Sequence, residues 1–327
     1  MTDYKKIQGF EVQTLSSDPT EPGWVGSIFY NSTEGVFKTV KPGGVSAGTW
    51  ASGGSLNTAR SELAGAGIKS SAIAIAGSVP GPSASAETYN GSSWTTVGSL
   101  NTARRLLGAS GTSNSSALAF GGFTTTNVAV TELWNGSSWT EVNDLNSARR
   151  YASGIIQGTT SATLTVGGRN PAGADMAQTE SWNGTSWSEV NDLNTARFGV
   201  MATGIQTAAL VAGGSNDSVN TESWNGTSWT EVSDINTVRY AGGRSGSQTD
   251  ALIFGGNGPA TQSAATENWN GSSWTEINDM ATATGEVGSG GSSSSSAIVF
   301  GGYTGTVTAA TEEWTAPDIV INTLTTS

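Results

Sequence analysis

The stretch "ESWNGTSWSEVNDLNTAR" (Glu180–Arg197) returns forty-two residues later as "ESWNGTSWTEVSDINTVR" (Glu222–Arg239). Its first half alternates apolar and polar residues around Asn-Gly, a strong short-range signal for a β-hairpin. A two-residue turn would set Trp187 opposite Glu180. A four-residue turn would set it opposite Trp182. Either register places Glu180, Trp182 and Trp187 on one face of the hairpin. Large rings in every copy suit the space between neighbouring sheets, because one sheet cannot bury its own faces.

Three anchors recur in fixed order outward from this phrase. Apolar runs end in paired glycine, as in "ALAFGG" to Gly122, "TLTVGG" to Gly168, "ALVAGG" to Gly214, "ALIFGG" to Gly256 and "AIVFGG" to Gly302, with a weaker "AIAIAG" to Gly77. Such short β-prone runs suit strands buried on both faces. Glutamate precedes an aromatic by two at Glu87, Glu132, Glu180, Glu222, Glu267 and Glu312. Tryptophan precedes arginine by ten at Trp50/Arg60, Trp94/Arg104, Trp139/Arg149, Trp187/Arg197 and Trp229/Arg239; at Trp274, Thr284 takes the arginine's place. The arginines lie 44, 45, 48 and 42 residues apart, a period that points to propeller blades. The last module stops at Trp314 without its second tryptophan, whereas Trp50 and "GSLNT" stand before any complete module. The strand around Trp50 is therefore expected to complete the last blade and close the ring without a free edge.

The expected fold is all-β: a six-bladed propeller at 48–316, a small β arm at 1–47 and a β-prone tail at 317–327. Within the arm, "GSIFYNSTEGVFKTV" reads as a hairpin with "NSTEG" as its loop, and 17–23 as an irregular connector. The tail "DIVINTLTTS" alternates and could pair with the arm or with a neighbouring subunit.

Composition narrows the function. The chain has 327 residues, 14 basic and 26 acidic groups and a formal charge of -12, which does not suit duplex binding. It has neither Cys nor His, so thiolate and imidazole chemistry and their metal sites are absent. No cofactor or metal is expected. No secretory leader and no window of 18 apolar residues is present, so membrane insertion is not expected. "NGS" and "NGT" match the N-glycosylation acceptor at Asn90, Asn135, Asn183, Asn225 and Asn270, but the turn already explains them. A glutamate repeated in every module reads as packing rather than as a catalytic carboxylate pair.

Residues 48–316 resemble kelch-repeat propellers through the paired glycines, the aromatic two after Glu and the later Trp, with the inter-strand loop cut to "NGSS" or "NGTS". The opening phrases "VQTLSSDPTEPGWVGSIFYNSTEGVFKTV" and "GGVSAGTWASGGSLNTAR" look like those of kelch-like proteins of marine tailed phages. That resemblance implies a virion protein that is structural or contacts the host: a tail fibre, adhesin or capsid decoration, multicopy or oligomeric. It would dock other virion proteins through 1–47 and bind a host-surface glycan or protein. A free lectin-like propeller is the alternative, and a carbohydrate-active enzyme comes third.

Kelch-like geometry places Arg60, Arg104, Arg149, Arg197 and Arg239 near one mouth of the axial channel, where guanidiniums would suit an anionic ligand. Each could instead pair with the acid five residues earlier (Asp144, Asp192, Asp234) or with a glutamate of a neighbouring blade. Arg105 and Arg150 add charge in two blades only. Trp50, Trp94, Trp139, Trp187, Trp229, Trp274 and Trp314 are assigned to packing. The loops after the glycine pairs differ from blade to blade (78–86, 123–130, 169–178, 215–220, 257–265, 303–310) and share one face, where specificity would be built.

Overall fold

The computed structural model describes residues 6–7, 10–19, 27–42, 48–216, 218–316 and 319–324, and every regular element among them is a strand. The chain forms two compact units, Trp50–Trp314 and a second made of the residues up to Thr49 and from Thr315 onward.

Six four-stranded antiparallel sheets build the larger unit. Sheet 1 runs Ala64–Ile68, Ser71–Ile75, Ala86–Tyr89 and Trp94–Val97. Sheet 2 runs Gly108–Ser113, Ser116–Phe120, Thr131–Trp134 and Trp139–Val142. Sheet 3 runs Ser153–Gly154, Thr163–Val166, Thr179–Trp182 and Trp187–Val190. Sheet 4 runs Met201–Ile205, Ala208–Ala212, Thr221–Trp224 and Trp229–Val232. Sheet 5 runs Gly243–Gly246, Ala251–Phe254, Thr266–Trp269 and Trp274–Ile277. Sheet 6 joins Gly288–Ser293, Ser296–Phe300 and Thr311–Thr315 to Thr49–Ser52. The first strands touch in a closed cycle from sheet 1 through sheet 6 and back. The strand around Trp50 does complete the last sheet.

The hairpin takes the four-residue turn: Trp182 stands opposite Trp187 and Glu180 opposite Glu189. Asn183 Oδ1 accepts the N–H groups of Thr185 and Ser186, both at 2.9 Å, and Gly184 has φ 91°. The side chain mimics a turn and glycine takes the left-handed step. Asn90, Asn135, Asn225 and Asn270 do the same.

The tryptophans stitch sheet to sheet. The fourth-strand indoles of Trp187, Trp229, Trp274, Trp50 and Trp94 donate to the hydroxyls of Thr131, Thr179, Thr221, Thr266 and Thr311, each the first residue of the third strand in the preceding sheet. In sheet 1 that threonine is Ala86, and Trp139 donates to the Gly98 carbonyl instead. The third-strand indole of Trp182 donates to the Thr160 carbonyl in its own sheet, so these buried indole N–H groups are all paired. The glycine pairs work at the same seams. Gly121, Gly167, Gly213, Gly255 and Gly301 have φ 62–65°, and a Cβ there would lie 2.4–2.8 Å from the backbone oxygen of Arg149, Arg197, Arg239, Thr284 or Arg60. Only glycine lets the seams close so tightly.

In the smaller unit, Ile28–Asn31 pairs with Val36–Pro42 across the expected hairpin loop. Gln13–Leu15 joins in parallel, and Ile319–Thr323 of the tail pairs with Val36–Pro42. The tail thus belongs with the arm as one sheet instead of forming a separate segment. Lys38 Nζ contacts Asp18 at 2.7 Å and Glu34 at 2.6 Å. These bonds raise the Lys38 pKa and lower that of Asp18. Trp24 and residues 20–23 of the connector lie outside the described residues.

Candidate functional site: the axial mouth

Arg60, Arg104, Arg149, Arg197 and Arg239 do not line a mouth. All five are fully buried, each paired at 2.5–3.1 Å with the third-strand glutamate of the sheet its linker enters: Glu87, Glu132, Glu180, Glu222 and Glu267. Burial lowers every one of their pKa values against the pull of the carboxylate. The acids five residues earlier are used otherwise: Asp144, Asp192 and Asp234 accept the N–H groups of Thr131, Thr179 and Thr221. The linker wraps the glutamate. Glu132 accepts Asn101 N and Nδ2, Thr102 N and Arg104 Nη1. A buried charge so enclosed is a packing device, and no ligand can reach it.

The axial mouth is built by the two residues after each of these five arginines and after Thr284, which takes the arginine's place in the sixth sheet. Glu62, Leu106, Tyr151, Gly199, Ala241 and Glu286, one per sheet, all have φ between 52° and 65°. Backbone hydrogen bonds link them around the axis: Glu62 N to Glu286 O, Leu106 N to Glu62 O, Tyr151 N to Leu106 O, Ala241 N to Gly199 O and Glu286 N to Ala241 O, at 2.6–3.0 Å. Five non-glycine residues hold a backbone that side chains disfavour, because the collar of hydrogen bonds fixes it. The residues just before them (Ser61, Arg105, Arg150, Phe198, Tyr240 and Gly285) form an outer ring bonded to the loops that differ between sheets.

Behind the collar lies a cavity of about 60 Å³. Arg244, on the first strand of sheet 5, crosses it: Nε donates to Ala202 O at 3.2 Å and Nη2 to Gly154 O at 3.0 Å. Arg244 forms no ion pair among the described residues, although Glu62 and Glu286 line the same cavity, and burial pushes its pKa down to about 10. Ser153 Oγ, buried in the same wall, has no hydrogen-bond partner.

One sector of the mouth carries the chemistry. Phe123 lies between the guanidiniums of Arg105 and Arg150, 5.3 and 5.4 Å from its centroid. Arg169 stacks over Phe198 at 4.3 Å, and Phe198 contacts Tyr151 and Tyr240 at 4.8 and 5.5 Å. Arg105 is paired with Glu62 at 2.6 Å and Arg169 with Asp175 at 3.2 Å. Arg150 forms no ion pair among the described residues; besides Phe123 its guanidinium meets the Asn127 amide oxygen, at 3.3 Å. Glu286 forms no ion pair among the described residues; burial and neighbouring Glu62 raise its pKa against the pull of Arg105 and a hydrogen bond with Asn257. The sector offers cations stacked on aromatic faces, an arrangement that takes planar anions.

No protein-family model and no curated protein matches the chain. A solved structure titled "Structure of YjhT" superposes with a TM-score of 0.67 over 82% of this chain and 99% of that one, at 11% identity. The chain is a β-propeller. Identity this low carries the fold and nothing of the activity.

Sequence reasoning noted Arg105 and Arg150 as extra charge and placed Phe123 and Arg169 in variable loops, but it missed Arg244, Tyr151, Phe198 and Tyr240. A signal was present. The phrase up to each arginine, or to Thr284 in the sixth copy, repeats, whereas the next two residues read Ser-Glu, Arg-Leu, Arg-Tyr, Phe-Gly, Tyr-Ala and Gly-Glu. The repeat stops where the mouth begins.

Proposed function

We propose that this chain is a six-bladed, kelch-like attachment propeller of a phage particle: a non-enzymatic virion component of the tail-fibre, adhesin or decoration type. It would be present in many copies and docked to other virion proteins through residues 1–47. Its mouth would bind anionic groups on a host-surface glycan or protein. The arginine distribution carries this reading. Of nine arginines, five are consumed in buried packing pairs, and the other four (Arg105, Arg150, Arg169, Arg244) gather at one mouth of an otherwise acidic protein. Repeated carboxylates in other blades are bound up in packing, which favours recognition over catalysis.

Arrays of neutral, carboxylated and sulfated glycans and peptides test the mouth. Wild type should retain anionic probes, with binding that weakens as salt rises. An Arg150→Ala, Arg169→Ala double variant should bind at least tenfold more weakly. Retention of neutral probes only, or an unaffected double variant, overturns the assignment. Cryo-electron microscopy of particles from the source lysate tests the virion part: a disc on the particle is expected, and bare particles with the protein left soluble overturn it. Turnover of chromogenic glycosides would replace attachment by catalysis.

A further inference from the structure

The axis is crossed twice beneath the mouth. Gln157 Nε2 of sheet 3 donates to Ser292 O of sheet 6 at 2.6 Å, and Arg244 of sheet 5 reaches Gly154 O of sheet 3 at 3.0 Å. The cavity behind the collar is therefore a blind pocket, with all six collar residues in its lining. Its polar wall is incomplete. Carbonyls hold Arg244 Nε and Nη2, and Nη1 has no acceptor among the described residues. Ser153, 3% exposed, lines the same pocket with a hydroxyl that has no partner. A buried hydroxyl left so is costly, and a ligand acceptor would satisfy it.

Two charges face this pocket from separate walls. Arg244 and Glu286 both line it and both keep some exposed surface. Neither forms an ion pair among the described residues. Burial lowers the pKa of Arg244 with no carboxylate acting on it. Glu286 instead feels Glu62 and Arg105, and after burial it is the next cause that raises the pKa of Tyr151. Glu62 is already matched by Arg105 at 2.6 Å. The lining thus balances to one positive and one negative charge, held apart. A lone anion would be repelled by Glu286, and a lone cation by Arg244. A molecule that carries both signs fits: a carboxylate for Arg244 Nη1 and the Ser153 hydroxyl, and an ammonium for Glu286. The volume of about 60 Å³, at roughly 10–15 Å³ for each water-sized sphere, holds about four to six such spheres. That is the size of the ammonium–carboxylate head common to α-amino acids.

We propose that the axial cavity binds the zwitterionic head of an α-amino acid, its carboxylate on Arg244 and Ser153 and its ammonium on Glu286. The proposal rests on the reading of the mouth as a recognition site and names a ligand head for its centre. Saturation-transfer NMR of the full chain, at neutral pH and constant ionic strength, compares glycine with acetate and with methylammonium. Glycine should bind saturably and about tenfold more tightly than either singly charged probe. Glu286→Gln and Arg244→Met should each weaken glycine about tenfold or more. Ser153→Ala removes a hydroxyl that has no protein partner, so its thermal midpoint should match wild type while glycine binds several-fold more weakly. A serine with a structural role only would leave that affinity unmoved. Absence of glycine binding overturns the proposal, as does acetate that binds as well as glycine, or glycine binding that Glu286→Gln leaves intact. Should Arg244→Met fail to fold, Glu286→Gln and Ser153→Ala decide. Wild type that retains anionic probes on the array but ignores glycine overturns the cavity assignment and leaves the outer mouth standing. Glycine binding without retention on the array does the reverse.

Discussion

In blade 3 the Glu180 carboxylate holds Asn146 and the guanidinium of Arg149. In blade 6 Glu312, at the same place in the same phrase, holds two backbone N–H groups beside a cavity. The fold survives the exchange. The glutamate is thus the fixed member of the device, anchoring a linker whose N–H groups would otherwise be buried unpaired. The arginine is an addition that fills space and compensates charge. It stabilises only while its partner stays, since a buried pair is worth little against apolar packing and a broken one costs a great deal.

Breaking the pair in blade 3 has the largest expected effect. Glu180→Ala strands a fully buried guanidinium and should cost about 3–5 kcal/mol in chemical denaturation. Glu312→Ala in blade 6 removes the acceptor of two backbone donors only, about 1–3 kcal/mol. Equal losses would show that the guanidinium does not distinguish the blades. Next comes the seam. Thr131→Val leaves the Trp187 indole N–H without its acceptor and should cost about 1–3 kcal/mol. In sheet 1, where Ala86 occupies that position, Trp139 has already turned to a backbone oxygen, so Ala86→Val costs packing alone and leaves no donor stranded.

A pH effect separates the first and last blades from the rest. Where other third strands carry tryptophan, blade 1 has Tyr89, whose hydroxyl donates to Glu313 of blade 6 at 2.6 Å. Burial, then this bond, raises its pKa from 10 to about 12. A raised folded-state pKa contributes stability that is full below the unfolded value and lost as pH climbs through the folded one. Stability should therefore fall between pH 10 and 12, and Tyr89→Phe should flatten that fall. The smallest effect belongs to the mouth: Arg150→Ala should change the unfolding free energy by no more than about 0.5 kcal/mol, in contrast to any change at Arg149 beside it.

The ring was legible because packing repeats. Trp182 and Trp187, the glycine pairs and the orphan strand at Trp50 each solve one physical problem at every seam, so the period carries the architecture. The hairpin register stayed open, because Asn-Gly suits both turn lengths until Asn183 is seen accepting from Ser186. The arginines misled for the same reason that the tryptophans did not. Repetition marks a shared role without saying whether that role faces solvent, and the carboxylates they meet lie 25–31 residues further along. Arg244 was hidden in "GGRSG", a run whose small residues are required by the crowding of inner strands around the axis.

Thr49–Ser52 is made before any other strand of the ring and pairs only with Thr311–Thr315, the last of them. On the ribosome it must wait while every residue between is synthesised, on the order of tens of seconds at about 5–20 residues per second. Throughout that interval Trp50 and an open strand edge are available to any other nascent copy of the same chain. Slower initiation at lower temperature should therefore raise the yield of closed molecules over exchanged ones, measured as the ratio of monomer to oligomer in size-exclusion chromatography.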